Sequence, residues 1–155
     1  MLFIYPKQTG ILLSVLLVGI GIVALIDYLV SAQKEKEQEL VSIAVSYDPN
    51  SCSKDSPLSF KITNGSKKIV NKVSWNIIAT AKGSSSNIVD YESFPNYQGE
   101  YSTGHHSESS TPYTTNKSLA PGELFSECYK APLIRGEFLP QNIFWKVSNK
   151  YSEFQ

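Results

Sequence analysis

The rhythm of hydrophobic and polar positions changes once along this chain, near residue 40. Before that point, Ile11 to Ile26 is an unbroken run of apolar and small residues, and Tyr28, Leu29 and Val30 carry it past Asp27. A run of about 20 such residues is roughly 30 Å long as a helix, which matches the hydrocarbon core of a bilayer and predicts a transmembrane helix over residues 11–30. Residues 31–39 hold Gln33, Lys34, Glu35, Lys36, Glu37, Gln38 and Glu39, all good helix formers with no apolar stripe. They predict a charged, solvated stalk that continues the helix, with residues 1–10 as a short segment ahead of it.

From Leu40 onward the repeat falls to two residues, the period of a half-buried strand. Val41, Ile43, Val45 and Tyr47 alternate with Ser42, Ala44 and Ser46 before Asp48-Pro49-Asn50-Ser51 breaks the pattern. Leu58, Phe60 and Ile62 alternate with Ser59, Lys61 and Thr63 up to the turn signal Asn64-Gly65-Ser66. A third strand is expected from Ile69 to Lys82, with Val73, Trp75, Ile77 and Ala79 on one face and Ser74, Asn76, Ile78 and Thr80 on the other. Shorter strands are expected at Ile88–Tyr91 and Tyr113–Leu119. The turn Leu119-Ala120-Pro121-Gly122-Glu123 leads to another at Leu124–Tyr129, and Ile143–Val147 closes the series around Trp145. Short strands divided by turns, with no helical period after residue 40, predict a mainly β domain over 40–155, an antiparallel β-sandwich.

Charge narrows the partners. The 14 basic and 14 acidic residues cancel and are mixed along the chain, so no basic stripe offers itself to nucleic acid. Membrane lipid is the partner expected for residues 11–30, and no small-molecule substrate or cofactor is indicated. Gly19 and Gly21 are two apart, and Gly10, Ser14 and Gly21 also miss the four-residue spacing of small residues that favours helix pairing. The helix therefore reads as an anchor first and a contact surface second.

The two cysteines, Cys52 between the first two strands and Cys128 within the penultimate one, fit a single disulfide. Reduced buried thiols in a cytosolic domain are the alternative, but Cys52 stands in a polar turn where burial alone would not place it. A disulfide puts the domain in an oxidising compartment, with the amino terminus inside. Lys and Arg around the helix are too evenly divided to fix orientation by themselves.

The amino-terminal segment supports two further readings. Lys7 with Val30-Ser31-Ala32 matches a cleaved signal peptide, although the apolar run exceeds the usual length of a signal core and Asp27 lies near the cut. Lys7-Gln8-Thr9-Gly10 before Ile11-Leu12-Leu13-Ser14 resembles a type IV prepilin leader, which implies cleavage after Gly10 and a pilin-like structural subunit. Pilins usually carry Glu five residues after the cut, where this chain has Val15.

Chemistry is sparse. The stretch Ser93–Lys117, about 25 residues rich in Ser, Thr, Tyr and Gly, is longer than an ordinary connection in a compact domain. It carries His105-His106 flanked by Glu100 and Glu108, the basis for a small metal-binding protein or enzyme. Adjacent histidines diverge in an extended chain and no third ligand stands at useful spacing, so no metal site is assigned. No Gly-x-Ser-x-Gly elbow is present, and a base in a long loop is poorly held, so no catalytic residues are assigned. Asn64 and Asn116 begin Asn-x-Ser sequons. Tyr91, Tyr97, Tyr101 and Tyr113 cluster in and around the long segment, and loops rich in Tyr, Ser and Asn are common in recognition surfaces. They are candidate partner-binding residues, the alternative being that the rings cover a sheet edge.

Pro57-Leu58 opening a strand, Asn64-Gly65-Ser66 ending it, Val70 and Val73 before an alternating strand, and Leu119-Ala120-Pro121-Gly122-Glu123 before the penultimate one form a recurring order. It resembles extracytoplasmic β-sandwich modules of the fibronectin type III and FxLYD kind, carried by small bacterial membrane-anchored proteins. Cys52 and Cys128 are the matching cysteine positions, and Trp145 and Phe154 fit the closing strand. The resemblance implies an immunoglobulin/fibronectin-like fold and a binding or assembly role without catalysis. The expectation is an accessory or scaffold subunit on the outer face of a cytoplasmic membrane. Its domain, in the periplasm or extracellular space, would contact a larger transport or secretion assembly.

Overall fold

From Pro6 to Leu40 the backbone is one α-helix, α1. A proline at the first helical position costs nothing there, because first-turn N–H groups have no intrahelical acceptor. The computed structural model describes residues 6–91, 94–95, 101–102 and 112–155, with side chains described for 17–91 and 112–155. Among the described residues α1 is the one helix long and apolar enough to cross a membrane. Its large apolar side chains between Leu17 and Val30 are all exposed, so no protein core accounts for them. The chain divides into two units, Met1–Glu39 and Leu40–Gln155.

The second unit is mainly β. Its strands are β1 (Val41–Tyr47), β2 (Leu58–Asn64), β3 (Val70–Ala81), β4 (Phe94–Pro95), β5 (Tyr101–Ser102), β6 (Tyr113–Thr115), β7 (Leu124–Tyr129) and β8 (Ile143–Phe154). One sheet has the order β1-β2-β7, a second the order β6-β3-β8, and among the described residues β4 pairs with β5. All pairings are antiparallel. Alternation does the sorting: in β2 the side chains of Leu58, Phe60 and Ile62 are fully buried while Lys61 between them is exposed. They meet Val73, Trp75, Ile77 and Ala79 of β3, together with Val41, Val70, Val89, Tyr113 and Leu119, in one core shared by both sheets. Phe60 of the first sheet packs against Trp75 of the second at 5.1 Å between ring centroids. Burial of rings of this size dominates the stability of a small domain.

Three expected elements differ in the structure, each for a local reason. Ile88–Tyr91 is no strand; it touches its neighbours through single bridges, Thr80 with Asn87 and Val89 with Ile134. The Asn87 carboxamide oxygen accepts the backbone N–H groups of Ala79 at 3.2 Å and Val89 at 3.1 Å, so a side chain takes positions that a ladder would fill. The strand expected at Tyr113–Leu119 ends at Thr115, where the Lys117 N–H turns back to the Thr115 hydroxyl, and only Leu119 bridges again to Val70. β8 runs to Phe154 instead of ending at Val147. Its two-residue period is interrupted where Asn149 and Lys150 face a single residue of β3, and Asn149 there has a φ of 45°.

Candidate functional site

Strand direction sorts the described strand ends of the two larger sheets into two groups. α1 joins β1 at Val41, which pairs with Asn64; Thr63 pairs with Leu124, and Val70 with Phe154. These residues form the proximal end. Tyr47, Leu58 and Tyr129 lie in register at the opposite, distal end, as do Ala81 and Ile143.

The proximal end is closed by one buried amide. Asn64 donates from Nδ2 to the carbonyls of Lys68 at 2.8 Å and Leu119 at 2.9 Å. Its Oδ1 accepts from the Ser66 backbone at 3.0 Å and the Ser66 hydroxyl at 2.7 Å. Gly65 follows because the Leu40 carbonyl approaches so closely that a Cβ there would stand 2.7 Å from it. With both amide hydrogens used and the residue fully buried, the Asn64 sequon is sealed by the fold, whereas Asn116 is exposed.

The distal end is built differently. The Tyr47–Leu58 connection is folded on Asp48, whose carboxylate accepts the N–H groups of Asn50 at 3.2 Å and Ser51 at 3.0 Å. Hydrogen bonds from the Ser51 side chain and then the Ser51 backbone hold this carboxyl below its ordinary range; burial opposes them and the Asn50 N–H assists. The same connection is tied to β7 by the disulfide Cys52–Cys128, with Cα atoms 5.8 Å apart. Beside it a cleft of about 530 Å³ opens between the end of β1 and the start of β8, lined by Val45, Tyr47, Pro49, Pro140, Phe144 and Trp145 among others. Its rim is apolar and wet: Tyr47 is 38% exposed, Phe144 58% and Leu139, just before Pro140, 60%. Earlier in the segment before β8, Gly136 has a φ of 97° that suits glycine, and a Cβ there would meet the Phe138 ring at 2.9 Å.

Two tyrosines lock the sheets together on the far edge from β1. Tyr113 of β6 donates to the Lys130 carbonyl at 2.8 Å, while the Tyr129 hydroxyl of β7 lies 3.0 Å from the Thr114 carbonyl and 2.6 Å from Glu127 Oε2. Burial raises the Tyr129 phenol above its ordinary range, and Glu127 adds to the shift; a hydrogen bond with Thr115 works against it. On the other edge, Lys150 Nζ of β8 donates to the Val41 carbonyl of β1.

The structure separates the four candidate tyrosines. Tyr113 is 2% exposed and belongs to the core, stacked on Trp75, so its ring is closed to a partner. Tyr91 is half-buried, and its hydroxyl bonds the Ile77 carbonyl at 3.1 Å and receives the Asn87 amide at 2.8 Å. Tyr97 lies outside the described residues, as do Glu100, His105, His106 and Glu108, and Tyr101 is described only as backbone of β5. Among the described residues no three His, Cys, Asp or Glu side chains are grouped to hold a metal. What sequence reasoning missed is the cleft. Its signal is the pair Phe144-Trp145: in a strand with a two-residue period, adjacent rings must face opposite ways, so one of them faces out of the core.

Compared with protein-family models, with curated proteins and with solved structures, the chain matches none.

Proposed function

We propose that this chain is a non-catalytic accessory or scaffold subunit of a membrane assembly. In this reading α1 crosses a cytoplasmic membrane once, and the two sheets form an immunoglobulin/fibronectin-like sandwich on its outer side, in the periplasm or extracellular space. The domain binds a protein partner in a larger complex, of the transport or secretion kind, through its distal end. The observation that carries the proposal is the distal cleft, where Tyr47, Leu139 and Phe144 stay in contact with water at the end of the β unit opposite Val41. Exposed apolar side chains gathered around a concavity are what protein partners bury, and aromatic rings supply much of that binding energy. The Cys52–Cys128 bridge supports the oxidising side.

The test is native-gel migration of the full-length chain, extracted from its own membranes in mild detergent. Tyr47→Ser with Phe144→Ser removes both exposed rings and is expected to release the chain from the larger complex. The loss should be about 2 kcal/mol or more, roughly thirty-fold in affinity. Tyr151→Ser removes a ring that is 45% exposed but lies towards the proximal end, and should leave the complex intact. Thermal midpoints of both variants should stay near wild type, as surface substitutions usually change stability by about 0.5 kcal/mol or less. Wild-type chain that migrates alone, or a double variant that stays in the complex, sinks the proposal.

A further inference from the structure

We infer that one face of α1 is itself a docking surface, for a membrane helix of a different protein that carries Lys or Arg at the depth of Asp27. This rests on the membrane-subunit reading above and names a second contact within it. Gly19, Ile20, Val23, Ala24 and Asp27 line one shallow groove along the helix. Their spacings of three and four put them on a single stripe. At Gly19 nothing stands within 4 Å of where a Cβ would be, and Ala24 adds only a methyl group, so a second helix backbone can come close.

Charge selects the occupant. Asp27 is the one formally charged residue of the apolar stretch 11–30. It is exposed on the helix and has no ion-pair or hydrogen-bond partner among the described residues. A carboxylate on a membrane helix is costly unless paired, most of all near the bilayer centre and less towards the ends. The nearest following cation, Lys34, is seven residues away, about 10 Å along the axis, out of reach of an ion pair. A second copy of this chain is the wrong partner. Copies inserted in the same orientation would bring two Asp27 carboxylates together on this face, and like charges in a low-dielectric site repel. A cationic side chain on another helix answers the charge, and Gly19 and Ala24 let that helix approach.

The experiment is photocrosslinking of the full-length chain in its native membranes. A photoreactive residue replaces Ile20 or Val23 on the face, or Ile22 or Leu29 away from it. The expected result is one adduct larger than the chain, formed from Ile20 and Val23 and at least tenfold weaker from the other two positions. It should persist in Asp27→Glu, fall at least tenfold in Asp27→Leu and Asp27→Lys, and map by mass spectrometry to an apolar peptide containing Lys or Arg. Replacing that base with Asp should restore the adduct to Asp27→Lys. An adduct of twice the chain's mass, equal yield from both faces, indifference to Asp27→Leu, or a peptide without a base each overturns the inference. If no adduct forms while the chain still migrates in the complex that the distal substitutions break, the helix inference fails and the docking reading stands. If the chain migrates alone, both fail.

Discussion

The two ends of the β unit solve the same problem, holding a connection between strands, by opposite means. The proximal turn after β2 is held from inside by Asn64, a buried amide with every donor and acceptor used. The distal connection before β2 is held from outside, by a covalent bridge and by the partly exposed Asp48 carboxylate. The first arrangement buries its polar groups, while Leu40, Ile69 and Leu124 around it stay exposed. Near the second, Tyr47 and Phe144 face water.

The largest effect is expected from cutting the distal tie. A bridge joining residues 76 apart stabilises by restricting the unfolded chain, about 4–5 kcal/mol on the chain-entropy account. Cys52→Ser with Cys128→Ser should lower the urea midpoint accordingly, and reductant should move wild type to the same place. Hydrogen exchange would localise the change, with amides of 48–57 losing protection while those of 64–69 keep theirs. Equal loss at both ends would mean that the two connections are not held independently.

Asn64→Ala probes the other end and should cost about 2–4 kcal/mol, because it leaves the Lys68 and Leu119 carbonyls without the amide they accept from. The expected signature is a lower midpoint in both reduced and oxidised protein, with partner binding at the distal end unchanged at temperatures where the variant is folded. A cost below about 0.5 kcal/mol would mean that water replaces the amide, and that the proximal turn is not sealed as described.

Much of this contrast was legible in the residues. The alternation over 41–47 and 58–63, and the turn Leu119–Glu123 ahead of 124–129, mark strands that the structure has at those places, and Cys52 in a polar turn pointed to the bridge. What stayed hidden depends on side chains acting on distant backbone. Nothing local says that Asn87 will intercept the N–H groups of Ala79 and Val89, or that Asn149 will widen β8 and carry the strand on to Phe154. Tyr113 illustrates the limit from another direction. A tyrosine beside a Ser-rich segment looks like a recognition residue, yet register with Trp75 draws it into the core. The cleft needed the third dimension too, since Tyr47 and Phe144 are almost a hundred positions apart in a chain whose sheets bring them to one edge.

The smallest expected effect concerns pH and belongs to the distal end alone. The folded state holds the Asp48 carboxyl below the usual carboxylate range, chiefly through hydrogen bonds with Ser51, so the ionised form favours folding. That contribution is present above the unfolded value of about 3.9 and is lost as pH falls through the lower folded value. Stability measured by urea unfolding between about pH 5 and pH 2 should therefore fall less steeply in Asp48→Asn than in wild type, with the two curves converging at the acid end. The Asn64 turn, residues 64–69, contains no carboxyl group, so Asn64→Ala should shift the whole curve down over this acid range without changing its slope. If Asp48→Asn left the acid slope untouched, the carboxylate would be a bystander, and the covalent bridge alone would be holding the wall of the cleft formed by Tyr47 and Pro49.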